Sequence, residues 1–230
     1  MLKRFIRGRL GVVNDVPPRR RHPARAPRES SSAPLVALTF DDGPSAWTPR
    51  ILDVFSEHGG RATFFVLGRS ISGYEPVLRR IVDEGHEIGN HLFSHRDAAT
   101  LTSREIRREI GATAQLVRDT VGFEPKLVRP PYGSAPERLA LAARRLAIRA
   151  TVQRSVDPAD WRERDPDVIV QTVLANIKDG SIVCLHDGSP DPRRSQPRDA
   201  TVDAVAELVP ALRSRGFELV TVSGMLDARA

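Results

Sequence analysis

From Pro34 onward the chain alternates between two hydrophobic rhythms. Short apolar or β-branched runs occur at Leu35 to Thr39, Ala62 to Leu67, Glu87 to Gly89, Lys126 to Val128, Arg149 to Gln153, Ser181 to Leu185 and Glu218 to Val222. Each reads as a strand. Between them apolar residues recur at helical spacing, as in Ile51, Val54 and Phe55, or Val77, Leu78, Ile81 and Val82. The same spacing predicts helices over Ser103 to Val121, Pro136 to Leu146, Pro166 to Lys178 and Thr201 to Arg213. Gly122 and Gly216 stand where helix ends favour a left-handed residue. About seven βα units in succession imply a parallel sheet, and the expected architecture is an α/β barrel.

In such barrels chemistry gathers at the carboxyl ends of the strands. The unusual polar clusters fall there. Asp41 and Asp42 follow the first predicted strand, His91 and His95 the third, Arg129 the fourth, Asp157 the fifth, and His186 with Asp187 the sixth. Five separate clusters would therefore meet at one mouth.

Composition changes this picture only at the start of the chain. With 230 residues, 40% hydrophobic and 28% charged, the protein has room for one sizeable domain. Its net charge is +6. Residues 1 to 34, however, hold nine Lys or Arg against only Asp15 and Glu29, a surplus of seven, so the remainder stands at −1. The basicity belongs to a tail, and a nucleic-acid-binding role for the domain is not indicated. The tail mixes Arg with Pro and Ser without apolar periodicity, so it is expected to be disordered. The domain is then residues 35 to 230. An export signal needs an uninterrupted apolar core, and Arg7, Arg9 and Asn14 break the nearest stretch. No run approaches the roughly 20 apolar residues of a transmembrane helix. Cys184 is the only cysteine, so no internal disulfide can form. The expected location is the cytoplasm.

The candidate chemistry starts with His91 and His95, four residues apart in HLFSH. On a helical turn both rings would face one way. Alone, the spacing fits either a metal pair or two loop histidines; a carboxylate from another strand end would complete a set of two His and one Asp, leaving a coordination position open. Asp41 and Asp42 are adjacent carboxylates that repel unless a positive charge compensates them. One could ligate a cation while the other serves as a base, or the pair could simply cap a helix. Arg129, ahead of a double proline, is held on a stiff segment suited to a fixed carboxylate contact. DPADW at 157 to 161 sets two carboxylates beside Trp161, which is either core or a wall for a sugar ring. His186 directly follows an apolar strand, where a second acid could orient it as a proton donor or acceptor.

TFDDGPS, HLFSH, RPPY, DPADW and IVCLHD, in this order over residues 39 to 187, closely resemble the five motifs of the carbohydrate esterase family 4 polysaccharide deacetylases, which share a nodulation-type deacetylase domain. The resemblance implies a distorted (β/α)7 barrel. It implies a divalent metal, usually zinc, on Asp42, His91 and His95, with Asp41 as general base and His186 as general acid. Arg129 would hold Asp41 ionised, Asp157 would pair with His186, and the backbone N–H of Tyr132 would stabilise the oxyanion. Trp161, Cys184 and Pro131 would contact the substrate. That substrate would be an N-acetylglucosamine-containing carbohydrate, with no nucleic acid, membrane span or protein partner implied.

Two positions depart from the family pattern. Leu92 replaces the usual Ser or Thr after the first metal histidine, so that loop must be held differently. Cys184 replaces the usual Leu lining the acetyl pocket. A rival reading is an amidase of the same superfamily acting on a small non-sugar amide or imide. Another is a non-catalytic carbohydrate-binding protein, which would have no need of a base, a metal triad and an acid.

Overall fold

A computed structural model describes residues 11–16, 33–191 and 197–230. Its core is a parallel sheet whose strands between Leu35 and His186 are joined by helical crossovers. The strands are β1 (Val12–Val13), β2 (Leu35–Asp41), β3 (Ala62–Val66), β4 (Glu87–Asn90), β5 (Leu127–Val128), β6 (Ala150–Val152), β7 (Ser181–His186) and β8 (Glu218–Leu219). The helices are α1 (Thr48–His58), α2 (Glu75–Asp83), α3 (Ser103–Val121), α4 (Pro136–Ala143), α5 (Pro166–Asn176), α6 (Asp199–Ser214) and α7 (Val222–Ala228). The order across the sheet is β1-β6-β5-β4-β3-β2-β7, with β8 paired to the start of β2. A bridge between Val156 and Val183 joins the segment after β6 to β7 and draws the sheet round on itself. The result is a distorted (β/α)7 barrel, as expected.

β2 is buried along its whole length, which suits a central parallel strand covered on both faces. Its even positions Val36, Leu38 and Phe40 join a cluster that includes Ile51, Leu52 and Phe55 of α1 and Val205, Leu208 and Leu212 of α6. Its odd positions Leu35 and Ala37 face the barrel interior with Phe65 and Ile182, and Val222, Met225 and Leu226 of α7 fill that layer. Alternation therefore sends Thr39 and Asp41 inward too. On β7 the inward set is Ile182, Cys184 and His186. The β2–β7 ladder places Thr39 beside Cys184 and Asp41 beside His186. One register thus fixes three groups of the site.

The structure corrects the expectations in several places. Part of the presumed disordered tail is ordered: Val12 and Val13 pair with Thr151 and Val152 of β6, and Val13 and Val16 are buried. The Val16 N–H also donates to the Gly180 carbonyl just before β7. This short segment fills the gap between β6 and β7, where hydrogen bonds and apolar burial offset its Arg-rich flanks. The rest of the tail lies outside the described residues. The run Glu218 to Val222 is a strand only at its first two residues. Thr221 accepts from the Gly224 N–H and starts α7, so a β-branched sequence becomes a helix start. α3 matches its predicted bounds, with a capping box between Thr102 and Glu105 at its start and Gly122 in the left-handed region at its end.

Candidate active site

The carboxyl ends of β2, β4, β5 and β7 surround a cleft of about 500 Å³ lined by Asp41, Asp42, His91, His95, Arg129, Tyr132, Trp161, Cys184 and His186, among others. Five residues of the surrounding loops adopt the left-handed conformation without being glycine: Asp42 (φ 74°), Leu92 (φ 67°), His95 (φ 59°), Tyr132 (φ 60°) and Ala159 (φ 56°). Each costs on the order of 1–3 kcal/mol, and such strain concentrates where side chains must be aimed.

Asp41 and Asp42 diverge after β2. Asp41 turns inward and its Oδ1 accepts from Arg129 Nη1 at 2.7 Å. Arg129 is itself buried, donates to Thr39 Oγ1 and to the Gln153 carbonyl, and stacks over the Phe65 ring. Burial pushes the Asp41 carboxyl up, but the charges of Arg129, His91 and His186 and the Arg129 hydrogen bond outweigh it and bring it to about 2. Asp41 is therefore ionised at any working pH.

Asp42 presents Oδ1 to two imidazoles, 3.2 Å from His95 Nε2 and 3.7 Å from His91 Nε2. The His91 Nδ1 lies 2.9 Å from the Arg129 carbonyl, which can only accept. Nδ1 therefore carries a proton, and Nε2 is the nitrogen turned toward Asp42. Burial lowers the His95 pKa to about 4, so that ring is neutral. Asp42 Oδ1 is buried without a hydrogen-bond partner. An ion with bonds of about 2.0 Å to oxygen and nitrogen in tetrahedral geometry separates its ligand atoms by about 3.3 Å, close to what is found. An orphaned carboxylate oxygen facing two imidazole nitrogens fits a divalent cation.

The HLFSH turn is not helical. Left-handed Leu92 and His95 bring the two rings together, their centroids 5.1 Å apart. Without the usual hydroxyl after His91, the turn is tied by other groups. Asn90 Oδ1 accepts from the Leu92 N–H, and the Glu109 carboxylate on α3 accepts from the N–H groups of Phe93 and Ser94 and from Ser94 Oγ. Leu92 itself is buried among Ile106, Ile110 and Val128.

The expected Asp157–His186 pair is not formed. Asp157 lies in the cleft wall but is engaged by Arg154, whose Nε donates to it at 2.6 Å. Asp160 takes the expected place: its Oδ1 is 2.7 Å from His186 Nδ1, and its Oδ2 accepts from the His186 N–H and from Thr201 Oγ1. The loop turns at Ala159, whose φ is 56°, and this points Asp160 inward while Asp157 stays at the rim. Burial lowers the His186 pKa, but Asp160, and then Asp42 and Asp41, raise it to about 9. His186 is a cation near neutral pH.

Of the expected substrate contacts, Trp161 is half exposed on the cleft, and Cys184 lies in its wall with Sγ 3.4 Å from Asp41 Oδ2. Pro131 is instead buried behind the surface, and Pro130 takes its place in the lining, because the chain turns between them into a short helical turn. Tyr132 is exposed and its ring packs edge-on to His95. Asp187, grouped in the sequence with His186 but given no role there, clamps the β2 loop: its N–H donates to the Asp41 carbonyl, Oδ1 accepts from Gly43 N–H and Oδ2 from Thr48 Oγ1. A Cβ on Gly43 would come within 2.2 Å of that carboxylate, which is why glycine stands there. The hydroxyls of Thr48 and Ser45 both donate to Asp187, and Ser45 Oγ also accepts from the Trp47 N–H at the start of α1.

A family model for polysaccharide deacetylases matches residues 28–151. A chitooligosaccharide deacetylase of Sinorhizobium fredii is 39% identical over 197 residues, covering 83% of this chain and 91% of that protein. The peptidoglycan deacetylase PdaC of Bacillus subtilis superposes with a TM-score of 0.76 at 36% identity, over 85% of this chain and 91% of the other. A family 4 pseudoenzyme from Bacillus anthracis matches with the same TM-score at 28% identity, over 86% of this chain and 67% of the other. Since one fold carries both kinds of protein, activity has to be argued from the residues of the cleft.

Proposed function

This chain belongs to the polysaccharide deacetylase family, and on that premise we propose that it hydrolyses the N-acetyl group of an amino sugar in a chitin-type oligosaccharide or peptidoglycan, releasing acetate. The observation that carries the reading is the meeting, in one cleft, of an ionised carboxylate, an orphaned Asp-His-His set and a cationic histidine.

Asp42, His91 and His95 would hold the cation, and their O,N,N donor set suits zinc. When bound, it supplies Lewis acidity toward water and toward the acetamide oxygen. Asp41, fixed by Arg129 through Oδ1, accepts the proton of the attacking water through Oδ2. A carboxylate near pKa 2 is a weak acceptor, so Asp41 works only on water that has been made more acidic; its role is tied to the three ligands beside it. The backbone N–H of Tyr132 donates to the oxyanion as the tetrahedral centre forms. His186 then gives its Nε2 proton to the departing amine, while Asp160 keeps hold of Nδ1.

Two exposed aromatic faces at the cleft, Tyr132 and Trp161, favour a sugar ring over a small amide, because they offer stacking surfaces that a small amide cannot use. The test is acetate release by the zinc-loaded protein from chito-oligosaccharides, peptidoglycan, acetylxylan and small amides. Release from the N-acetylglucosamine substrates is expected. Release only from small amides would favour the amidase reading, and release from none, with one zinc bound per chain, would sink both.

A further inference from the structure

β7 turns Cys184 and His186 into the cleft two residues apart, and the ladder sets them beside Thr39 and Asp41. A carboxylate oxygen of Asp41, the Cys184 sulfur and a ring nitrogen of His186 lie within 4.8 Å of one another. Because His186 Nδ1 is committed to Asp160, Nε2 is the nitrogen left to ligate. The Cys184 Sγ to Asp41 Oδ2 distance is 3.4 Å. A tetrahedral ion with a bond of about 2.3 Å to sulfur and about 2.0 Å to oxygen holds those atoms about 3.5 Å apart. The spacing of sulfur and oxygen already fits one.

This set shares no residue with Asp42, His91 and His95, and it differs from them in holding a sulfur. We propose that Asp41, Cys184 and His186 form a second site, for a thiophilic divalent cation such as cadmium or zinc in excess. Binding replaces the Cys184 thiol proton and the His186 Nε2 proton, both released to solvent, with bonds to the ion. Asp41 Oδ2 is 3.8 Å from His91 Nε2, so the two ions are close neighbours and repel. With zinc already on Asp42, His91 and His95, the second site therefore binds more weakly than it would alone. Filling it occupies the base and the acid together and halts turnover; this consequence rests on the proposed function, whereas the site itself does not.

The test uses the full chain loaded with one zinc and titrated with cadmium, read by the ultraviolet thiolate-to-cadmium charge-transfer band. Cys184 is the only cysteine, so the band can report nothing else. The expected result is a band that saturates at one thiolate per chain and is lost in Cys184→Leu. Asp41→Asn and His186→Gln keep the sulfur but should each weaken band formation by at least about 100-fold, the cost of losing a ligand rather than its support. Acetate release by the wild type should fall at least about tenfold as the band saturates. No band at saturating cadmium overturns the proposal, as does a band of unchanged affinity in both Asp41→Asn and His186→Gln, which would mean a lone thiol. If Cys184→Leu does not fold, those two variants still decide. A protein that shows the band but releases no acetate before cadmium is added keeps this site and loses the proposed function.

Discussion

Replacing Asp160 with asparagine removes the negative charge 2.7 Å from His186 Nδ1 while keeping the side-chain shape and an oxygen that can still accept the ring proton. The His186 pKa stands at about 9 against an ordinary 6.5. That difference corresponds to about 3 kcal/mol in favour of the imidazolium. Without Asp160, burial opposes the charge with only Asp41 and Asp42 to counter it, and the pKa falls to about 6.5 or lower. Near pH 8 the protonated fraction then drops from about 90% to about 3%, a loss of about thirtyfold. The assay is kcat/KM for acetate release across the pH range. The wild type should lose activity on its alkaline side near pH 9, and Asp160→Asn should move that limb to about 6.5 or below. Asp157→Asn should leave the limb in place, since Asp157 holds Arg154. The sign for stability follows from the same shift. A raised folded pKa contributes stability that is complete below 6.5 and disappears as pH rises through about 9, so Asp160→Asn should destabilise the protein more at pH 6 than at pH 10. An alkaline limb that stays near 9 in Asp160→Asn, or that moves equally in Asp157→Asn, would refute the pairing.

Other consequences can be tested alongside. Glu109→Gln weakens the carboxylate that ties the Phe93 and Ser94 amides, and zinc affinity measured by competition with a chelator should fall about 10- to 100-fold while the fold survives. Val13→Ala removes buried methyl groups from the segment between β6 and β7 and should lower stability in urea by about 1–2 kcal/mol, with kcat little changed. Burial first, then the charges of Arg61 and Arg80, lowers the His86 pKa to about 4. The unfolded chain therefore takes up that proton first, and stability is lost as pH falls from about 6.5 toward 4, by up to about 3 kcal/mol. His86→Asn, which still offers an acceptor to the Ala62 N–H, should flatten that decline in urea titrations at successive pH values.

The parts of the fold written in local patterns were legible in the sequence. β2 and β7 are mostly apolar or β-branched runs, and α3 carries both its capping box and its terminal glycine, so their places follow from local pattern. β1 was not legible, because two valines among basic and proline-rich neighbours become a strand only when β6 pairs with them. α7 was misread because Val220, Thr221 and Val222 favour a strand locally, while Thr221 as a cap and the apolar layer beneath the barrel favour a helix. The site divides the same way. Asp41, Asp42, His91, His95, Arg129 and His186 stand out in the sequence because each ends a strand or sits in a tight polar motif, and the structure brings them into one cleft. Which acid meets His186 was not encoded in spacing: Asp157 and Asp160 are three residues apart, and only the turn at Ala159 decides which one points inward. Asp187 was overshadowed by its neighbour His186, although an acid following a buried strand was itself a signal.

We propose Asp41 as the base beside a metal held by Asp42, His91 and His95, in a cleft that removes acetate from an amino sugar. The most direct measurement is acetate release from an N-acetylglucosamine oligomer by zinc-loaded wild type and Asp41→Asn, with bound zinc quantified in both. Asp41→Asn should keep about one zinc per chain and its fold while turnover falls by at least about 100-fold, within the range ascribed to a general base. Undiminished acetate release from an Asp41→Asn protein that has retained its zinc would contradict the account.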